Sequence, residues 1–433
     1  MKKVINIGIV GFGTVGSGVV EVLSNNPSRI SRKVGARVQI KKIVDKDITT
    51  PRGIKVDRSL LSTNINHILD DPEIDIVVEL IGGEHEAREI ILEAMKKGKH
   101  IVTANKALLA KAWDEIFEAS KRYGCEVLFE ASVGGGIPII QCIRQGLASN
   151  RILSIFGIIN GTCNYILSKM SSEKKDFCEV LKEAKESGFA EASPILDIEG
   201  IDTAHKLVVL GSLAFSKRIS VEDVYTEGIT YITKRDIVYA EEEFGYTIKL
   251  LGIAKIIDNK LELRVHPTMI PKDHLLASVS GEYNAIYIMG DLTDPLMFYG
   301  KGAGKFPATS AVTADIIYLA KKITNGVAGY IEKSYYEDID IKPMDEFLGK
   351  YYIRFETLDQ PGVLASISGI LGEHNISISS VIQKERRSGD IVPIVMLTHE
   401  AKEANIRIAL KKIDKLPIVK AKSLLIRVEE LTK

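Results

Sequence analysis

The chain has 433 residues, 45% hydrophobic and 26% charged, and its 57 lysines and arginines balance 57 aspartates and glutamates. That length exceeds what one core ordinarily supports, so two to four domains are expected. The charge balance, with no long basic run, excludes the pattern of a nucleic-acid or polybasic-lipid binder. No apolar run approaches the roughly 20 residues of a membrane-spanning helix, and the short segment before Gly11 reads as a strand rather than a secretory signal. A cytoplasmic protein whose partner is a small molecule is expected.

From Val4 to about Phe129, strand-like runs at Ile5–Val10, Val38–Val44, Ile76–Leu80, His100–Thr103 and Glu126–Phe129 alternate with helical runs near Val15–Ser24, His85–Lys97 and Ala110–Tyr123. Such alternation predicts a parallel sheet covered by helices on both faces. Ligands in that architecture sit beyond the carboxyl ends of the strands, where Gly11, Asn105 and Lys106 are expected to converge. The stretch from 130 to 305 reads as mixed α+β. Its helices fall near Pro138–Ala148, Phe177–Ser187 and Thr203–Phe215, and its strands near Ile152–Asn160, Tyr246–Ile257, Leu261–Thr268 and Tyr283–Met289. Ser310–Ile323 is apolar and helical, placed to return to the first domain. Residues 331–350, with the charged run Glu332–Asp338, read as a linker. Beyond them, strand Tyr352–Thr357, helix Val363–Glu373, strands Ile376–Glu385 and Ile391–Thr398 joined near Gly389, helix Asn405–Asp414 and strand Lys422–Val428 follow the βαββαβ order of the ferredoxin-like split motif. The cysteines Cys125, Cys142, Cys163 and Cys178 form no CxxC pair and are expected to be buried thiols.

Gly11, Gly13 and Gly16, within Gly11-Phe12-Gly13-Thr14-Val15-Gly16, follow a strand and open a helix, the context of a dinucleotide-binding loop. Gly11 permits the tight turn, Gly13 lets backbone N–H groups approach a pyrophosphate, and Gly16 allows close helix packing; the helix N-terminus favours the anion. Asp45, ending the second strand, suits a ribose 2′-hydroxyl, whereas Lys46, Lys41 and Arg52 suit a 2′-phosphate. The coenzyme is therefore written NAD or NADP.

The run from Glu191 to Lys206 places Asp202 and Lys206 four apart at the start of an apolar helix, on one face. Alone, such a pair reads as a surface ion pair; beside a dinucleotide loop and Lys106 at a strand end it reads as acid–base machinery. Asp202 orients Lys206 or binds a substrate ammonium, and Glu191 and Asp197 add negative charge, so an amino-acid substrate is expected. His205 projects about 100° from Lys206 on an ideal helix and reads as a packed residue.

The segments GIVGFGTVGSGVV, VVELIGG, HIVTANKALLA, EASVGGGIPII, NGTCNYIL, GFAEASPILDIEGIDTAHKL and GKGAGKFPATSAV resemble the homoserine dehydrogenase family over nearly the whole chain. The resemblance implies reversible oxidation of L-homoserine to L-aspartate 4-semialdehyde, on the route to threonine, isoleucine and methionine. It implies Lys206 as proton donor in aldehyde reduction, Lys106 between coenzyme and substrate, Glu191 and Asp202 with neighbouring Asp197 as homoserine ligands, and Gly188 with Gly302-Ala303-Gly304 closing over the nicotinamide. It also implies a monovalent cation, sodium, at Glu130, Val133, Gly135 and Ile137, for which backbone carbonyls and one carboxylate are suited. The chain departs from many members at Asp45, Lys46 and Lys301, which leaves coenzyme preference open.

Asp359-Gln360-Pro361-Gly362-Val363-Leu364 supports a resemblance of residues 352–428 to an ACT domain, which implies a homodimer or homotetramer and either a threonine site or a dimerisation module without ligand. The implied architecture is a Rossmann-like domain at 1–130, an α+β catalytic and dimerisation domain at 131–330, and a ferredoxin-like ACT domain at 351–433. Two other readings are a different amino-acid or oxo-acid dehydrogenase on this cofactor fold and, from another class, a non-catalytic ACT-domain amino-acid sensor with a degenerate dinucleotide fold. A sensor has no need of Lys106, Asp202 and Lys206 together.

Overall fold

Alternating Ile5, Ile7 and Ile9 are fully buried in a strand that forms the centre of a parallel sheet, as expected of strands covered on both faces. The computed structural model describes residues 2–329, 338–384 and 390–431. It divides into two compact units, one made of residues 1–152, 205–222 and 284–338, the other of 153–204, 223–283 and 339–433.

In the first unit, β1 (Val4–Val10), β2 (Arg37–Val44), β3 (Leu61–Ser62), β4 (Ile74–Glu79), β5 (His100–Thr103) and β6 (Val127–Leu128) pair in parallel in the order β3-β2-β1-β4-β5-β6. The order reverses beside β1, which opens the dinucleotide crevice of a doubly wound sheet. Helices Thr14–Asn25, His85–Lys96 and Lys106–Tyr123 make crossovers. The last begins at the strand end, earlier than Ala110, because the Asn105 side chain caps it by accepting from the Leu108 N–H at 3.1 Å. Helix Pro27–Val34 and edge strand β3 are additions to the sequence reading. The predicted helix 138–148 is an α turn at Ile139–Gln141 followed by wider π turns at Cys142–Gly146. Helix Lys305–Thr324 packs Val312, Ile316, Leu319 and Ala320 into the core that holds Val19, Val20 and Leu23, and Lys305 Nζ donates to Glu21 at 2.7 Å.

The second unit contains helices Gly161–Glu173, which the sequence reading lacks, and Phe177–Glu186. Strands Tyr246–Ile257 and Lys260–Pro271 form an antiparallel hairpin, turned by Asp258 and Asn259 at φ +52° and +59°, the left-handed pair of a two-residue loop. The C-terminal βαββαβ module has strand order Leu424–Val428, Leu348–Leu358, Ile391–Thr398, Ile378–Ile382. Its last strand also pairs in parallel with Lys260–Pro271, Thr268 opposite Arg427, so the module's sheet continues that of the hairpin. Of the predicted linker, residues 331–337 lie outside the described residues, as do Glu385 and Gly389. The remainder is structured: Asp340–Ile341 pairs with Lys260–Leu261, and the first strand of the module starts at Leu348.

Cys125 and Cys163 are buried, Cys142 is half-buried and Cys178 is exposed. The expectation of four buried thiols therefore fails at Cys142 and Cys178. Val180 and Ala184 are the buried residues of the helix that carries Cys178.

Lys249, in the hairpin, is buried and donates from Nζ to the Val279 carbonyl at 2.6 Å and Asn164 Oδ1 at 3.4 Å. Burial lowers its ammonium to about 8, below the unfolded value of about 10.4. Stability linked to the neutral amine is present above the unfolded pKa and is lost as pH falls through 8. Lys249→Met is expected to raise Tm at pH 7 by more than at pH 10.5. Thermal melts across that range check it, and an equal gain at both ends contradicts it.

Candidate active site

The glycine loop is shaped by backbone contact. Gly11 has φ +103°, and a Cβ there would stand 2.7 Å from the Leu80 carbonyl; one on Gly16 would stand 2.0 Å from the Gly11 oxygen. Around Gly13, by contrast, nothing lies within 4 Å of a Cβ position. Gly13 caps helix Thr14–Asn25 without a side-chain bond and no acidic residue sits in the first turn, a terminus suited to an anion. The Phe12 N–H donates to Asp45, whose other oxygen accepts from the Asp47 N–H at 2.8 Å. Asp45 is thereby held against the loop. The nearby cations have carboxylate partners: Lys46 with Glu86 at 2.6 Å, Arg52 with Asp47 at 3.1 Å and Lys41 with Asp71 at 2.9 Å.

Lys106 opens its helix one residue after Asn105. Beneath this corner lies Glu79, which the sequence reading missed: it ends β4, is fully buried, and accepts from Thr103 Oγ1 at 2.6 Å and the Ile81 and Gly82 N–H groups at 3.0 and 3.3 Å. Burial raises its carboxyl above the ordinary range, against the pull of those donors. Thr103 Oγ1 in turn accepts from the Asn105 N–H at 3.0 Å, and Asn105 Nδ2 donates to the Gly83 carbonyl at 2.6 Å. The network ties the ends of β4 and β5 together and fixes where Lys106 starts.

Gly302 and Gly304 lie in the loop before helix Lys305–Thr324. A Cβ on Gly135 would approach the Gly302 oxygen to 2.4 Å, and the Gly136 N–H donates to the Lys301 carbonyl at 3.1 Å, so this loop rests on the Gly134–Gly136 turn. The Glu130 side chain, expected as a cation ligand, is engaged by backbone donors. Its oxygens accept from the Ile140 and Gln141 N–H groups, both at 2.8 Å, because they cap the turn at Ile139. Among the described residues no group of three or more His, Cys, Asp or Glu is arranged to hold a metal.

In the second unit, Asn160 Nδ2 donates to Asp197 Oδ1 at 2.6 Å and to Asp202 Oδ2 at 2.9 Å, while its Oδ1 caps helix Gly161–Glu173 by accepting from the Cys163 N–H at 2.8 Å. One amide therefore gathers the two carboxylates. The sequence reading ended a strand at Asn160 and gave it no role at the site. Asp202 stands second in helix Ile201–Ala214 and Lys206 one turn later. Gly188, at φ +74°, and exposed Glu191 lie on the segment after helix Phe177–Glu186. Phe189 anchors that segment by stacking on Tyr165, with centroids 4.4 Å apart.

A strand–glycine-loop–helix corner, the strand order of a doubly wound sheet and a paired-carboxylate helix carrying a lysine define a nicotinamide-dinucleotide-dependent oxidoreductase. Residues 11–130 match the homoserine dehydrogenase NAD-binding domain, 138–317 homoserine dehydrogenase and 351–418 the ACT domain. Homoserine dehydrogenases of Bacillus subtilis and Neisseria gonorrhoeae are 38% and 42% identical, each match covering 99% of both chains. The crystal structure of a homoserine dehydrogenase from Thiobacillus denitrificans superposes with a TM-score of 0.93 at 45% identity over 99% of both chains. A hyperthermophilic archaeal homoserine dehydrogenase in complex with NADPH superposes at 0.63 and 26% identity over 75% of this chain and 98% of its own. The chain belongs to the homoserine dehydrogenase family and is an NAD(P)-dependent enzyme. The sensor reading is not favoured.

Asn160→Asp keeps the helix cap but replaces the donor between Asp197 and Asp202 by a third carboxylate. It is expected to lower kcat/KM for homoserine at least about tenfold with little change in coenzyme KM. Steady-state kinetics with each substrate varied check this; an unchanged kcat/KM for homoserine contradicts it.

Proposed function

We propose that Glu191, Asp197 and Asp202 receive the ammonium of L-homoserine, and that Lys206 takes the hydroxyl proton during oxidation and returns it to the carbonyl oxygen of L-aspartate 4-semialdehyde during reduction. The observation that carries this reading is the Asn160 bridge, which holds two carboxylates at the head of the helix that bears Lys206. A bound nicotinamide supplies the hydride acceptor or donor at the carbinol carbon. Lys106, fixed by the Glu79–Thr103–Asn105 network, steadies negative charge at the reacting oxygen. Gly188, Gly302 and Gly304 are read as coenzyme contacts. Gly11 to Gly16, including Phe12, Thr14 and Val15, seat the pyrophosphate, and Gly13 leaves room for it.

The coenzyme reading rests on Asp45, fixed against the glycine loop, and on the neighbouring cations with their carboxylate partners; both favour a ribose hydroxyl over a 2′-phosphate, so NAD is read as the better coenzyme. Backbone carbonyls among Glu130, Val133, Gly135 and Ile137, with the Glu130 carboxylate, suit a monovalent cation such as sodium. The C-terminal module is read as an ACT unit that joins chains into a homodimer or homotetramer and takes threonine as effector. On this reading the enzyme works in threonine, methionine and isoleucine biosynthesis, in the cytoplasm. No described helix is long and apolar enough to cross a membrane.

Coenzyme reduction followed at 340 nm with L-homoserine, in separate runs with NAD and NADP, tests the reaction; no reduction of either, with the reverse direction also silent, overturns it. Lys206→Ala is expected to lower turnover by about 100-fold or more with coenzyme binding nearly intact, and normal turnover in that variant removes Lys206 from the mechanism. Asp45→Ala is expected to shift the NAD to NADP ratio of kcat/KM toward NADP by about tenfold, the scale of one lost hydrogen-bonded contact. An unshifted ratio dismisses Asp45 as the determinant.

A further inference from the structure

We infer that Arg427, from the last strand of the C-terminal module, is a positioning residue for the substrate carboxylates, acting through Glu227 on the turn that carries Asp197 and leads into Asp202; the inference rests on the substrate role proposed above.

Arg427 is fully buried. Its Nε donates to Glu403 Oε2 at 3.0 Å, and its Nη1 to Glu227 Oε2 at 2.7 Å. Glu403 is the first residue of the module's second helix, so the guanidinium links that helix to a segment outside the module. The remaining oxygens are also occupied. Glu403 Oε1 accepts from Arg427 Nη2, which donates at 3.1 Å to the Tyr225 hydroxyl; that hydroxyl donates to Glu227 Oε1, and Tyr231 donates to Glu227 Oε2 at 3.2 Å. Arg407 approaches from the rim, 2.9 Å from Glu403 and 3.6 Å from Glu227. Fork-shaped donation of this kind fixes direction as well as distance.

Glu227 has little freedom to yield. Its N–H donates to the Val265 carbonyl at 2.7 Å, and two residues on the Ile229 N–H donates to the Ile198 carbonyl at 2.8 Å. Between them is Gly228, where a Cβ would stand 2.2 Å from the Ile198 oxygen and 2.6 Å from the Glu199 Cα. From the opposite side, a Cβ on Gly200, at φ +81°, would lie 3.1 Å from the Glu227 oxygen. Residues 227–229 and 198–200 therefore touch backbone to backbone, through the Ile229 N–H bond to the Ile198 carbonyl and the close approach of Gly228 to Ile198 and Glu199. Closely packed interiors transmit displacement across such contacts. The turn that receives it holds Asp197, whose carbonyl accepts from the Gly200 N–H at 3.0 Å, and it ends two residues before Asp202. The path is contiguous: Glu403, Arg427, Glu227, Gly228, Ile198–Gly200, then the carboxylates gathered by Asn160.

The test uses the full chain with Arg427→Met, Glu227→Gln and the double variant. Each single change is expected to raise the KM for L-homoserine about tenfold while coenzyme KM and kcat stay within about twofold. The double variant is expected to match the singles rather than multiply them, the signature of residues acting as one unit. A purely structural role shifts both KM values together, or lowers Tm without moving homoserine KM, and either result overturns the inference. Amide exchange supplies a readout independent of turnover and of variants that fold poorly. In Glu227→Gln the Ile229 and Gly200 N–H groups are expected to exchange about tenfold faster while those of the hairpin Tyr246–Pro271 do not change; unaltered exchange at Ile229 and Gly200 overturns the inference. A wild-type enzyme silent with homoserine sinks the substrate assignment and leaves the exchange result to decide the coupling.

Discussion

Two carboxylates brought into one small volume repel each other unless something between them donates hydrogen bonds, and here the amide of Asn160 donates to both. Its oxygen is committed to the Cys163 N–H, which fixes the direction of the NH2 group and so the placement of Asp197 and Asp202. Glu79 is handled in the same way, by a hydroxyl and two backbone amides, but to an opposite end: its buried carboxyl shapes a corner.

Glycine carries the other half of the precision. Gly16 lies against the Gly11 carbonyl, Gly135 against Gly302, and Gly228 against Ile198, each so closely that a Cβ would overlap the neighbour. In each case two backbone segments touch directly, and rotamer changes cannot loosen the contact. The residues entrusted with chemistry are thus positioned by peptide groups, whose geometry is nearly invariant, and long side chains are left to the reactive ends.

Much of this was legible from residue patterns. The β-rich and helical alternation and the glycine spacing located the nucleotide corner, because both reflect local constraints on neighbouring residues. The four-residue step from Asp202 to Lys206 placed both groups on one helix for the same reason. Glu79 was missed because a carboxylate at a strand end reads as solvent-facing; its burial depends on Thr103, a residue 24 positions away on the adjacent strand. Arg427 was missed because an arginine in an alternating strand reads as an outward residue, and its partners Glu227 and Glu403 are distant in sequence. The linker reading failed on 338–350 since pairing with Lys260–Leu261 is a long-range event that leaves no periodic trace.

The helix Lys305–Thr324 carries a consequence for synthesis. Val312, Ile316, Leu319 and Ala320 complete a core whose other buried members lie before residue 130, so the nascent nucleotide-binding segment emerges from the ribosome with its apolar face uncovered. At about 5–20 residues per second, some ten to forty seconds pass before its last packing partner is made. The nucleotide-binding segment therefore depends on chain made as far as Thr324, is exposed to chaperones and proteases for that interval, and a nonsense codon before residue 305 would release it without the helix that seals it.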